Sequence, residues 1–101
     1  MKMPGNMQAM MQQAQKMQQK MQEEIALIRV EASAGGGMVT VKMSGHKQLV
    51  AVKIEPEAMD ASDPSMLEDL IIAAVNEAGR KVEETMQSKM GTMAAGFPPL
   101  F

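Results

Sequence analysis

The first quarter of the chain carries apolar residues at the spacing of a helix. The segment begins at Pro4-Gly5-Asn6, in which Asn6 suits the N-cap position. Gln and Lys fill the face opposite the apolar one. The apolar positions recur at steps of three or four residues: Met7, Met10, Ala14, Met17 and Met21. This pattern predicts an amphipathic helix of about 22 residues, roughly 33 Å long.

The period of the pattern then changes from 3.6 to two. Apolar and polar residues alternate over 28–33, 39–44 and 49–54, separated by Gly35-Gly36-Gly37 and Gly45-His46-Lys47. Alternation bounded by turn residues predicts three short strands in an antiparallel meander. One face of this sheet is apolar and has to be covered, whereas the other is mostly polar and suits contact with water.

A second helix is predicted to start at Asp63-Pro64, an N-cap residue followed by proline at the first helical position. Its apolar stripe runs from Leu67 to Met93, and Gly79 within it costs about 1 kcal/mol unless it permits a close approach. Residues 94–101, AAGFPPLF, are predicted to be irregular. Together these elements predict an α+β fold of order αβββα.

The predicted helices are longer than the sheet they cover. A seven-residue strand spans roughly 23 Å, whereas the helices span about 33 and 45 Å. The overhanging segments are rich in methionine and have to pack against each other or against another chain. We therefore predict one domain over 1–101 that forms a homodimer, with a core at about 25–79 and projecting helical arms at about 6–24 and 80–93. The residues expected to pack the arms are Met10, Met17, Met21, Met86 and Met90.

The composition of the chain excludes several kinds of functional site. The 101 residues include 14 Met but no Cys, which excludes disulfides and thiolate metal sites and predicts a reducing, cytoplasmic location. His46 is the single histidine, and no glycine-rich phosphate-binding motif is present. The longest apolar run, Leu70 to Val75, is far too short to span a membrane. We therefore expect no enzyme activity, no cofactor, no metal, no small-molecule substrate and no membrane partner.

The net charge of −2 hides a segregation of charge along the chain. Residues 1–22 hold three lysines and no acid, whereas residues 55–84 hold nine acids against Arg80 and Lys81. From 85 onwards Lys89 is the only charged residue. Such asymmetry bears on the partners of a protein rather than on its fold.

Several longer segments resemble one family of proteins. They are MQQAQKMQQKMQEE (11–24), GGGMVTVKMSGHKQLVAVKIEPE (35–57), MLEDLIIAAVNEAGRKVEE (66–84) and the final GFPPLF. The combination resembles the YbaB/EbfC family of small bacterial nucleoid-associated DNA-binding proteins. The resemblance implies a tweezer-like homodimer whose helical arms flank a gap suited to duplex DNA. It also implies that binding alters DNA conformation and serves nucleoid organisation, gene regulation or DNA protection.

The candidate phosphate contacts are basic residues of the two predicted helices, together with Lys2 before the first helix. Lys16 and Lys20 lie one helical step apart on the polar face of the first arm, where a solvated, solubilising face is the alternative. Arg80 and Lys81 face the alternative of pairing with nearby acids at i,i+3 and i,i+4. The full set of candidates is Lys16, Lys20, Lys89, Arg80, Lys81 and Lys2.

Other features have simpler explanations than a binding site. Arg29, Lys42 and Lys53 could form a basic strip on the polar sheet face, although such charges more often solvate an open sheet. The Met7, Met10 and Met11 cluster could bind Cu(I), but helical spacing favours packing. The alternative function is a protein-interaction scaffold whose Met-lined arms clasp a partner's helix. DNA binding and scaffold binding differ in their sensitivity to salt.

Overall fold

The computed structural model of the chain describes residues 5–95 and confirms the predicted order αβββα. The elements are helix α1 (Gly5–Leu27), strands β1 (Arg29–Ala34), β2 (Val39–Ser44) and β3 (Leu49–Ile54), and helix α2 (Pro64–Ala95), with a short 3₁₀ turn at Pro56–Ala58. Lys2 and residues 96–101 of the predicted irregular segment lie outside the described residues, and Ala94 and Ala95 belong to α2.

The three strands form an antiparallel sheet in the order β1-β2-β3, with β2 at the centre. Val41 of β2 lies opposite Ala32 of β1 and Val52 of β3, so these three residues share one face. Gly35, Gly36 and Gly37 all have positive φ in the β1–β2 turn. Glycine adopts this conformation without steric cost, which explains the triplet in the sequence.

Helix α2 covers the apolar face of β1 and β2. Val39, Val41 and Val82 are fully buried between the helix and the sheet. Ala74 and Ala78, one turn apart on α2, are also fully buried, and their small side chains let the helix approach the sheet closely. Because Val82 is part of this core, α2 stays on the body beyond its midpoint. Arg80 and Lys81 therefore lie over the body rather than beyond it.

The third strand is not covered in the same way. Val52 is on the core face opposite Val41, yet its side chain is 46% exposed, and Val50 is 55% exposed. Ile72 on α2 is 57% exposed. These valine and isoleucine side chains therefore expose apolar area that nothing in the described chain covers.

The chain is strongly elongated, with extents of 73 × 22 × 16 Å. Helix α2 accounts for about 48 Å of length, and α1 projects away from the body. Every side chain from Asn6 to Lys16 is exposed, whereas Met17 and Met21 are half-buried. The elongated shape expected of helices longer than the sheet is thus confirmed.

Candidate nucleic-acid interface

The first arm presents lysines without partner acids. Lys16 and Lys20 are exposed on α1, and Asn6 to Gln22 contains no carboxylate. None of the ion pairs found among the described residues involves either lysine. Successive turns of a helix place the two Cα atoms about 6 Å apart along the axis. Both ammonium groups are therefore available to an external anion.

Lys89 lies on the outer half of α2, at the base of the arm that α1 forms. It is half-buried and lines a narrow apolar pocket between the two helices, together with Met21, Ile25 and Met86. A lysine in this position packs its methylene stem and extends its ammonium towards water. Lys89 therefore shares one end of the molecule with Lys16 and Lys20, although it is less exposed than either.

Arg80 is engaged by two carboxylates of its own helix. Its Nε donates to Glu77 Oε2 at 3.0 Å, and its terminal nitrogens donate to Glu77 Oε1 and Glu84 Oε1. The hydrogen bond from Arg80 lowers the pKa of the Glu77 carboxyl, and the same two acids raise the pKa of Arg80. This is the i,i+3 and i,i+4 pairing that the spacing allows. Arg80 remains an untested candidate for DNA contact.

Lys81 is engaged by the main chain of the sheet. Its Nζ donates to the carbonyl oxygen of Glu31 at 2.8 Å, which ties α2 to the edge strand β1. Lys81, one of the predicted DNA contacts on α2, therefore has a structural partner that could not be predicted from the residues near it in the sequence. Its role as a phosphate contact stays a prediction.

Basic residues on the polar face of the sheet partly interact with neighbouring groups of the same chain. Arg29 Nη1 donates to the carbonyl oxygens of Ala26 at 2.9 Å and Ile28 at 2.7 Å, at the end of α1. Lys53 Nζ is 3.6 Å from Glu55. Lys42 is exposed and lies opposite Glu31 across the β1–β2 ladder. The basic strip therefore offers less unpaired charge than α1.

The β2–β3 turn makes contacts that the sequence does not reveal. Gly45 is buried against the end of α1, and Lys47, with φ of 60°, forms an ion pair with Glu83 on α2. The hydrogen bond from Lys47 lowers the pKa of the Glu83 carboxyl. His46, at the tip of this turn, is exposed. Between Gly5 and Ala95, no group of three or more His, Cys, Asp or Glu residues is placed to hold a metal ion.

Comparison with known proteins identifies the family. The sequence model of the YbaB/EbfC DNA-binding family matches residues 2–97. The chain belongs to this family. It is 50% identical to a nucleoid-associated protein of Alkaliphilus metalliredigens, over 95% of this chain and 89% of that protein. A nucleoid-associated protein of Chloroflexus aurantiacus is 43% identical, over 95% of this chain and 99% of its own length.

A solved structure shares the fold. The crystal structure of an uncharacterized protein from Helicobacter pylori matches with a TM-score of 0.73 at 21% identity, over 92% of this chain and 99% of that one. At this identity the likeness concerns the fold alone. Within residues 5–95, neither helix has the length and hydropathy that a bilayer span requires.

Proposed function

We propose that this protein binds duplex DNA as a homodimer, mainly through phosphate contacts made by its projecting arms, and alters the path of the DNA in the cytoplasmic nucleoid. The observation that carries the proposal is the pair of unpartnered lysines, Lys16 and Lys20, on an exposed helix of a chain from a DNA-binding family. Phosphate contacts position a protein on DNA without reading its sequence. Selectivity then depends on DNA shape and deformability.

The distribution of charge supports approach through the arms. The described part of α1 before Glu23 carries two lysines and no acid, whereas residues 55–84, on the body, have a net charge of −7 from nine acids and two bases. A polyanion is attracted to the first region and repelled by the second. The asymmetry thus orients a duplex towards the end of the molecule from which α1 projects.

The uncovered β3 face supports the homodimer. Val50, Val52 and Ile72 expose branched aliphatic side chains, and a groove between α2 and the sheet contains Gly79 together with Met43 and Val75. A Cβ built at Gly79 meets nothing within 4 Å, so nothing in the described chain requires glycine there. A glycine within a helix lowers helix stability by about 1 kcal/mol relative to alanine. Close approach by a second copy of the chain would explain why glycine is present there. The second copy would also cover Val50 and Val52.

The DNA proposal is tested by the salt dependence of binding. Anisotropy titrations of labelled duplex at 50 to 200 mM salt compare the native protein with the double variant Lys16→Ala/Lys20→Ala. Each lost phosphate contact reduces the log–log slope by about 0.9, so a dimer losing four contacts changes by up to about 3.6. The matched control is Lys42→Ala/Lys53→Ala, which removes the same charge from the sheet face. An unchanged slope in the arm variant, or equal effects of both variants, refutes the assignment.

The homodimer is tested by sedimentation equilibrium. We expect the native protein to be dimeric and Val52→Lys to be monomeric with its secondary structure retained, because a charge on the buried face of an interface is unpaired. Ala51→Lys is the matched control, since it lies next along β3 on the polar face and is exposed. A monomeric native protein, or dissociation by both variants alike, contradicts the proposed interface.

A second candidate function is a scaffold that clasps a partner's helix. The exposed methionines Met7, Met10 and Met11 favour it, because flexible thioether side chains adapt to varied apolar surfaces. Scaffold binding should survive moderate salt and fail in Met10→Gln. DNA binding should show the opposite sensitivities, so the same titrations discriminate between the two functions.

A further inference from the structure

The apolar positions of the arms differ chemically from those of the body. On α2 over the sheet they are largely branched aliphatic residues such as Leu70, Ile71 and Val82. Between Asn6 and Glu24, and again between Glu83 and Gly91, the apolar side chains are only methionine and alanine: Met7, Ala9, Met10, Met11, Ala14, Met17, Met21, Met86 and Met90. Packing alone does not require methionine in place of branched aliphatic residues. The methionine thioether is an oxidisable group, and this composition concentrates it in the arms.

Met90 differs from the other exposed methionines. Its side chain is 51% exposed, yet it lines a narrow apolar pocket between α1 and α2 together with Met21, Ile25 and Met86. The surface of this pocket is apolar, although Glu24 and Lys89 also belong to its lining. Met90 is thus both open to a small oxidant and part of the wall of the apolar pocket between the helices.

The methionines nearer the start of α1 lack such a position. Met7, Met10 and Met11 are all about half exposed and lie in the segment of α1 whose side chains are all exposed. Met59, after the 3₁₀ turn, is similarly exposed. None of these four methionines lines the pocket between α1 and α2, so a change of polarity at these positions leaves that pocket unaltered.

We propose that Met90 is a peroxide-sensitive modification site whose oxidation loosens α1 from α2. The thioether sulfur attacks one oxygen of a hydroperoxide and the O–O bond breaks. Sulfur keeps that oxygen and is oxidised by two electrons, while the second oxygen of hydrogen peroxide leaves as water. The resulting sulfoxide is polar, and dithiol-dependent reduction can return it to the thioether.

The effect on the arm follows from the surroundings of Met90. A sulfoxide oxygen is a strong hydrogen-bond acceptor, and placing it against Met21, Ile25 and Met86 without a donor is unfavourable. The oxidised side chain therefore favours solvent and gives up its contact with α1. We expect amide exchange over residues 17–24 to accelerate roughly fivefold to tenfold, which corresponds to about 1 to 1.4 kcal/mol.

The experiment uses the full chain and limited treatment with hydrogen peroxide. Peptide mass spectrometry locates the sulfoxides, and hydrogen exchange measures α1. Oxidised native protein and the unoxidised variant Met90→Gln should both exchange faster over residues 17–24. Met90→Leu, which is apolar and not oxidisable, should show no acceleration after treatment, although Met10 and Met59 are still oxidised. Met10→Gln is the matched control for polarity and should leave the exchange unchanged.

The outcomes separate this proposal from the proposed function. Absence of oxidation at Met90 while Met59 is oxidised overturns it, as does an equal response of Met90→Leu and native protein. Unchanged exchange in Met90→Gln also overturns it. None of these readouts involves DNA. The further expectation that oxidised protein binds duplex more weakly, and that Met90→Leu retains its affinity, rests on the proposed function and can fail while the exchange result stands.

Discussion

Gly45→Ala is expected to disturb the junction between the body and the first arm. Gly45 is buried in the β2–β3 turn, and a Cβ built there lies 2.1 Å from the carbonyl oxygen of Ile25 and 3.0 Å from Ile25 Cγ2. Carbon and oxygen atoms in contact are about 3.3 Å apart, so one of the two backbones has to move by roughly 1 Å. The obstacle is main chain at the end of α1, where Ile25 also accepts a hydrogen bond from Ile28.

The magnitude follows from the rigidity of that obstacle. Overpacking in a folded protein costs about 1–3 kcal/mol, and more when nothing can yield. Because no flexible side chain can move aside for the carbonyl of Ile25, we expect about 3 kcal/mol. For a domain of this size that lowers the melting temperature by roughly 12 to 24 °C. If α1 is displaced instead, the body keeps its stability and the last turns of α1 lose their protection.

Urea unfolding at fixed protein concentration, combined with hydrogen exchange over residues 17–27, measures both responses. Gly91→Ala is the matched control, because a Cβ built at Gly91 in α2 meets nothing within 4 Å. That change should be neutral or stabilise the helix by up to about 1 kcal/mol. If Gly45→Ala unfolds at the native urea concentration and its α1 amides exchange at the native rate, the close contact with Ile25 does not hold α1.

Three further predictions concern other contacts of the body. Gly79→Ala should improve helix propensity and yet weaken the dimer, so its sedimentation should show more monomer than native protein; tighter association would refute close approach there. Glu83→Gln should lose the stability that Lys47 confers on the ionised carboxyl. Because folding lowers the pKa of Glu83, the difference in melting temperature should be full above about pH 5. This difference in melting temperature should vanish as the pH falls through the lowered pKa of Glu83. A difference that stays constant with pH would contradict the pairing of Glu83 with Lys47. Lys81→Met should cost about 1 kcal/mol in urea unfolding through loss of the hydrogen bond to Glu31, and an unchanged midpoint would show that this bond contributes nothing.

The parts of the fold that depend on local pattern could be predicted from the sequence. The order of the elements follows from the hydrophobic period, the Asp63-Pro64 helix start and the glycine triplet, because each of these signals acts over a few residues. The spacing of Arg80 and Glu77 predicts their pairing for the same reason, since both residues lie on adjacent turns of one helix. The uncovered side of β3 could not be predicted, because it depends on where α2 crosses the sheet.

The contacts that attach the two helices to the sheet and its turns were not predictable from a pattern. Lys47 and Glu83 are 36 residues apart, and Lys81 and Glu31 are 50 apart, so no local spacing relates them. The buried position of Gly45 also depends on how the β2–β3 turn meets the end of α1. Sequence periodicity therefore predicts that arms exist, whereas tertiary contacts determine how they are attached.

The two kinds of apolar surface suit two kinds of contact. The β3 side presents Val50, Val52 and Ile72, whose branched side chains have few rotamers and fit one defined surface. The arms present methionine, whose unbranched side chain adapts to changing neighbours. A permanent contact gains from the first property, and a contact that changes shape when DNA is bound gains from the second. If this division and the proposed DNA bending are correct, Met10→Ile and Met17→Ile together should leave sedimentation of the proposed dimer unchanged and reduce the bending of a labelled duplex, measured by energy transfer between the DNA ends. Equal bending by the native and substituted arms would show that methionine adds nothing to DNA deformation.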